Sequence, residues 1–127
     1  MEEYNNQNKE EFDIMKFLFS LQGRIGKKEF LFYIAIEFLT VMVVGIIVAV
    51  MKMNKEEMEQ FLGVVSLIFI YPNIAVSAKR AHDFNYSAWF AFVTLAPYIG
   101  FVLMIIMGFI EGNPEENKYG LPPKKKQ

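Results

Sequence analysis

Three long apolar blocks constrain this chain more than any other feature of its sequence. They run over about Phe30–Met51, Gln60–Ala78 and Ala88–Ile110. The first contains one charge, Glu37, and the other two contain none. A bilayer core about 30 Å thick is crossed by a helix of roughly 20 mostly apolar residues, so each block is long enough. Soluble core helices keep a polar face, and three consecutive helices that are apolar all round would leave no face for water. The blocks are too long for ordinary strands, and they lack the short alternating segments of a membrane barrel. A helix also pairs its own backbone N–H and C=O groups, which lipid cannot do. The predicted fold class is therefore an all-α integral membrane protein, a bundle of about three transmembrane helices.

The charges collect between and outside these blocks, at residues 1–29, 52–59, 79–83 and 111–126. Residues 1–11 are polar and acid-rich, unlike a secretory signal peptide, and read as a disordered terminus. The domain organisation follows as a polar N-terminus over 1–11, a transmembrane helical domain over 12–110 and an irregular tail over 111–127. The last residues, Lys124 to Gln127, are expected to be disordered. Within Glu11–Leu21, Phe12, Met15, Phe19 and Leu18 fall near one helical face. This predicts a short N-terminal interfacial helix, with packing under the bundle as the alternative. Gly23 and Gly26 break it before the first span. The tail holds Gly112, Asn113, Pro114, Gly120, Pro122 and Pro123, so it is irregular.

With no cysteine and one histidine, disulfides, thiolate metal sites, thiol catalysis and a multi-histidine site within one chain are excluded. The formal net charge of -1 and the lack of a basic stripe argue against nucleic acid. No glycine-rich phosphate loop or other cofactor motif is present. No cofactor and no metal are expected.

Three single crossings put Arg24, Lys27 and Lys28 on the side of Lys79, Arg80, His82 and Asp83. They put the Gly112–Gly120 tail on the opposite side, beside the loop over 52–59. Lysine and arginine are then nearly balanced between the two sides. Because Arg24, Lys27, Lys28, Lys79 and Arg80 lie against the bilayer, the expected orientation is N-terminus inside and C-terminus outside.

Four features invite a function. Glu37 lies about two turns into its span, where a charge costs roughly 2.5–3.5 kcal/mol on insertion scales. It reads either as a proton or cation site, or as a structural carboxylate paired with Arg80 or Asn73. Tyr71-Pro72-Asn73 and Pro97 with Gly100 predict helix kinks, and such breaks line ion sites in some transporters. His82 beside Asp83 resembles an acid–base pair, but adjacent helical residues point about 100° apart and no nucleophile motif accompanies them. The cluster Lys79-Arg80-Ala81-His82-Asp83 otherwise reads as a charged helix end at anionic headgroups, with Trp89 at the interface. Gly45 with Ala49 and Ala96 with Gly100 place small residues at the spacing that allows close helix approach.

Three motifs give the chain a resemblance. These are Gly23-Arg24-Ile25-Gly26-Lys27-Lys28-Glu29-Phe30, Lys79-Arg80-Ala81-His82-Asp83-Phe84-Asn85-Tyr86-Ser87-Ala88-Trp89-Phe90, and Gly112 through Asn117-Lys118-Tyr119-Gly120 and Pro122. Over about residues 17–123 the chain resembles domain-of-unknown-function family 805, small bacterial inner-membrane proteins. Asn85, Ala88 and Phe90 depart from the family's Gly, Gly and Trp, and Lys27 and Lys79 stand where arginine is usual. The resemblance implies a multi-pass protein of the bacterial cytoplasmic (inner) membrane. It also implies that Arg24, Arg80, His82, Asp83, Ser87 and Trp89 form one juxtamembrane cluster.

The leading expectation is a non-enzymatic accessory or scaffold subunit. Its juxtamembrane cluster of Arg24, Lys27, Lys28, Lys79, Arg80, His82, Asp83, Ser87 and Trp89 would meet lipid or a partner. The expected partners are the lipid bilayer and either further copies of the chain or another membrane protein. The alternative is a homo-oligomeric channel or transporter that uses Glu37 and Asn73. No catalytic residues are expected.

Overall fold

The computed structural model describes residues 12–123. The expectations for residues 1–11 and for Lys124 to Gln127 lie outside the described residues. Among the described residues the fold is all-helical, with no strand beyond an isolated bridge between Asn117 and Gly120.

Helix α1, Ile14–Phe19, starts where the Asp13 side chain accepts hydrogen bonds from the Met15 and Lys16 amides at 2.9 and 3.1 Å. Such a cap satisfies donors that have no partner within the helix. Phe17 and Leu18 pack on the core, whereas Phe12, Ile14, Met15 and Phe19 point outward. Gly23, at φ +88°, then turns the chain.

Helix α2, Lys27–Met51, has 25 residues and a length of roughly 37 Å. A left-handed Lys52 ends it, and only Lys52–Asn54 separates it from the next helix. Helix α3, Lys55–Asp83, has 29 residues and opens with a capping box between Asn54 and Glu57. The polar stretch expected as a loop over 52–59 is thus mostly helix. At the other end α3 continues through Lys79–Asp83, whose side chains are buried. Pro72 sits inside α3 without ending it. α2 and α3 are both long and apolar enough to cross a membrane.

The third apolar block differs from its expectation. A single helix over 88–110 is replaced by α4, Phe90–Val93, an irregular turn, and α5, Ile99–Phe109. Pro97 has no N–H to donate and its ring crowds the carbonyl four residues earlier, which weakens a helix there, though Pro72 shows that proline alone does not end one. The chain reverses through Tyr98, which has φ +62° and ψ -56°, and the Ile99 amide donates to the Pro97 carbonyl at 2.7 Å. Gly100 makes the reversal possible, since a Cβ there would lie 2.0 Å from the Thr94 carbonyl oxygen. With 11 residues, α5 is roughly 16 Å long, about half the depth of a bilayer core.

The outside of the molecule is apolar and its core is partly charged. Val50 is 74 % exposed and Leu67 71 %, whereas Arg80 is fully buried. Soluble proteins reverse this pattern. The core lies at one end, where Ile25, Phe30, Tyr33, Val76, Ala81, Met104 and Met107 pack together. Gly108 allows α5 to approach α2, for a Cβ there would meet the Leu31 side chain at 2.7 Å. Of the small-residue pairs in the sequence, Gly45 faces open space and Gly100 serves the turn.

Candidate functional site

The sequence motifs meet at the C-terminal end of α3. The Ile25 amide donates to the Lys79 carbonyl at 3.4 Å, which lays the segment after Gly23 along that helix end. Arg24 then reaches Asp83, donating from Nε and Nη2 to Oδ1 at 3.0 and 2.8 Å. Its remaining donors go to the tail, to the Asn113, Glu115 and Gly120 carbonyls at 2.6, 2.9 and 3.0 Å. Arg80 takes the other Asp83 oxygen, Oδ2, at 2.5 Å. It also donates to the Met107, Ile110 and Ile25 carbonyls at 2.9, 2.5 and 3.4 Å. Its guanidinium lies 4.5 Å from the Phe84 ring centroid and 6.0 Å from that of Phe30.

Asp83 is therefore the bridge between two arginines. Taking such ions out of water costs several kcal/mol each, so they persist only when their hydrogen-bonding groups are matched. They are matched here: among the described residues no buried side-chain nitrogen or oxygen lacks a partner. Planar guanidinium groups suit this task, since each spreads several donors over well-separated carbonyls.

The tail closes over the junction. The Asn113 amide donates to the Asp83 carbonyl at 2.8 Å, and Asn117 Nδ2 to the His82 carbonyl at 2.9 Å. Gly112 rests against the Asp83 carboxylate, where a Cβ would lie 1.8 Å from Oδ2. Tyr119 stacks on the His82 ring at 3.8 Å between centroids. The His82 Nδ1 lies 3.0 Å from the Gly23 carbonyl oxygen, which can only accept, so Nδ1 carries a proton. His82 and Asp83 are thus engaged separately and do not form the acid–base pair that their adjacency suggested.

These contacts overturn the expected separation of tail and cluster. The Gly112–Gly120 segment lies at the same end as Arg24, Arg80 and Asp83, because the third block returns to its starting side. The expected N-inside, C-outside arrangement depended on that block crossing once.

The other cluster residues divide. Lys79 Nζ donates to the Lys16 carbonyl at 2.9 Å and to the Phe17 carbonyl, which ties α1 to α3. Lys27 pairs with Glu111. Lys28, Ser87 and Trp89 lie outside the junction, with Trp89 76 % exposed. The Ser87 hydroxyl accepts from the Trp89 amide at 3.4 Å.

A second polar feature runs between the helices. Glu37 Oε1 accepts from the Tyr33 hydroxyl at 3.0 Å and from Asn73 Nδ2 at 2.9 Å. The Ser77 hydroxyl donates to Asn73 Oδ1 at 3.4 Å, and Thr94 Oγ1 lies 3.4 Å from Ser77 Oγ. Thr94 in turn donates to the Ala91 carbonyl at 2.6 Å. Of the two partners expected for Glu37, Asn73 makes the contact and Arg80 pairs with Asp83. Sequence reasoning did not single out Tyr33, Ser77 or Thr94. The spacing of four from Tyr33 to Glu37 and from Asn73 to Ser77 is the signal that could have found the first two. Tyr119 and Asn117 were also missed as members of the site, although the third motif contains them. Among the described residues no group of three or more His, Asp or Glu side chains is arranged to hold a metal ion.

An apolar exterior, two helices of membrane-crossing length and a charged junction closed on itself define a small helical membrane protein. The chain belongs to the family described as Protein of unknown function (DUF805), which matches residues 18–121. It is 30 % identical over 112 residues to inner membrane protein YhaH of Escherichia coli (strain K12), covering 87 % of this chain and 93 % of that protein. Inner membrane protein YhaI of the same strain is 26 % identical over 112 residues, covering 87 % of this chain and 92 % of its own length. The uncharacterized protein YiiR is 27 % identical over 133 residues, with 84 % and 88 % covered. No solved structure matches the chain at a significant level.

Proposed function

We propose that this chain is a multi-pass protein of the bacterial inner membrane that works by association, as an accessory or scaffold subunit, and not by catalysis. In this reading α2 and α3 cross the bilayer. The α4–α5 hairpin enters and leaves on one side, so the three apolar blocks give two crossings and one half-depth excursion. The observation that supports the reading is the closed Arg24–Asp83–Arg80 junction, whose ions are engaged within the chain and leave Lys28, Ser87, Trp89 and the outward side of α1 exposed at that end.

Orientation then follows from charge. Lys16, Arg24, Lys27, Lys28, Lys79, Arg80 and Lys118 all belong to the junction end, against Lys52 and Lys55 at the other. The excess of cations supports a cytoplasmic junction, with the Lys52–Asn54 link outside. Lys28, Ser87 and Trp89, together with the outward apolar side of α1, would rest among headgroups. The arginines and Asp83 serve the fold.

The test is to extract the full chain in a native nanodisc, measure its mass and identify what copurifies. A stoichiometric complex supports the subunit reading. A lone monomer with no partner under any growth condition counts against it. The hydrogen-bonded line from Tyr33 through Glu37 and Asn73 to Ser77 favours a second reading, a homo-oligomeric channel or transporter. Cation or proton flux in liposomes that Glu37→Gln alters would support that reading. Flux that is absent, or that ignores the substitution, would end it.

A further inference from the structure

Tyr98 occupies an exceptional position. Its φ of +62° and ψ of -56°, with the Ile99 amide bonded back to the Pro97 carbonyl at 2.7 Å, form a γ-turn of the rare, strained kind. The Cβ of an L-residue makes positive φ costly, and such strain persists where surrounding contacts hold it. Here the chain itself supplies few. Tyr98 is 88 % exposed, and within the described residues neither its amide nor its hydroxyl makes a hydrogen bond. The Leu95 carbonyl, three residues earlier, likewise accepts no backbone hydrogen bond. Around them lie the exposed apolar side chains of Phe92, Ile99 and Val102.

In the topology proposed above, on which this inference rests, the turn is the tip of a hairpin roughly 16 Å deep. Irregular backbone is tolerated at that depth only where protein or trapped water covers it, because hydrocarbon offers no hydrogen bonds. An unsatisfied polar group there costs several kcal/mol. The tip therefore calls for a polar partner, and one patch carries both the missing donor and the missing acceptor. A patch of that kind is self-complementary, as a two-fold interface requires.

We propose that the hairpin tip is a homodimer contact within the membrane, in which the Tyr98 hydroxyl of each copy donates to the Leu95 carbonyl of the other. Two copies then satisfy the Tyr98 hydroxyl and the Leu95 carbonyl that one copy leaves open, and the contact holds the strained turn in place. Apolar side chains on either side of the tip pack around the polar pair.

The chain has no cysteine, so a single introduced thiol reports cleanly. Ile99→Cys keeps the hydroxyl and sits beside it, 63 % exposed. Oxidation or a short bismaleimide, applied to inner-membrane vesicles that carry the full chain, is expected to give a covalent dimer. Val50→Cys, far along α2, is expected to give none. Adding Tyr98→Phe to Ile99→Cys is expected to lower the dimer fraction several-fold. The proposal is overturned by no dimer from Ile99→Cys, by an adduct with a different protein, or by a dimer fraction that Tyr98→Phe leaves unchanged. A water-soluble maleimide separates the two possible failures. Brisk labelling of Ile99→Cys without a dimer means the tip lies in water, so the topology is wrong. No labelling and no dimer leaves the topology standing and removes the dimer.

Discussion

Arg24 and Asp83, 59 positions apart in sequence, meet at 2.8 Å with side chains 1 % and 4 % exposed. This pair joins the segment before α2 to the end of α3, and the remaining arginine donors gather in the tail. Without Arg24, Asp83 keeps Arg80 but loses its second cation, and the Asn113, Glu115 and Gly120 carbonyls lose that donor, at a cost of about 1–3 kcal/mol for each buried group left unpaired. Arg24→Ala is therefore expected to lower the thermal midpoint of the detergent-solubilised protein and to expose the tail to protease. A tail as resistant as in the parent chain would refute the junction.

Gly112 offers a gentler test of the same junction. A methyl group there would lie 1.8 Å from Asp83 Oδ2, whereas at Gly63 it meets nothing within 4 Å. Gly112→Ala should destabilise the protein, by about 1–3 kcal/mol on the scale of overpacked sites. Gly63→Ala should leave it unchanged or slightly more stable, as expected for alanine in a helix. Equal midpoints for the two variants would contradict the seating of the tail.

Sidedness can be read with single cysteines at Lys28, Glu56 and Lys118. An impermeant thiol reagent applied to intact cells should label Glu56→Cys alone. Opening the inner membrane should then expose Lys28→Cys and Lys118→Cys together. Labelling of Lys118→Cys with Glu56→Cys would restore the three-crossing arrangement.

Glu37 separates shape from charge. Gln retains an oxygen able to accept from Tyr33 and Asn73, so Glu37→Gln should hold stability within about 1 kcal/mol of the parent. Glu37→Leu strands the Asn73 amide and should cost about 1–3 kcal/mol. Equal losses in the two variants would mean that the negative charge itself is required.

Much of this fold was legible in the sequence. The lengths of the first two apolar blocks gave α2 and α3, and the three motifs named the residues that meet. The third block misled because composition does not register how a backbone turns. Ala88–Ile110 is apolar enough for one span, and what breaks it is the steric demand of Pro97, the missing Cβ of Gly100 and one positive φ at Tyr98. From that error followed the misplaced tail. The roles of Arg24 and Arg80 were equally hidden, because a cation beside an apolar block reads as a headgroup contact until its acceptors are seen. Those acceptors are main-chain carbonyls, which every residue carries and no sequence distinguishes.

The order in which the chain is made gives the junction a further consequence. Arg24, Arg80 and Asp83 are synthesised before nearly all of the carbonyls that satisfy the two arginines, at Met107, Ile110, Asn113, Glu115 and Gly120. Until those residues leave the ribosome, two guanidinium groups wait without most of their acceptors. The tail is thus the keystone of assembly, and a nascent chain interrupted before it would carry two arginines whose donors are largely unmatched.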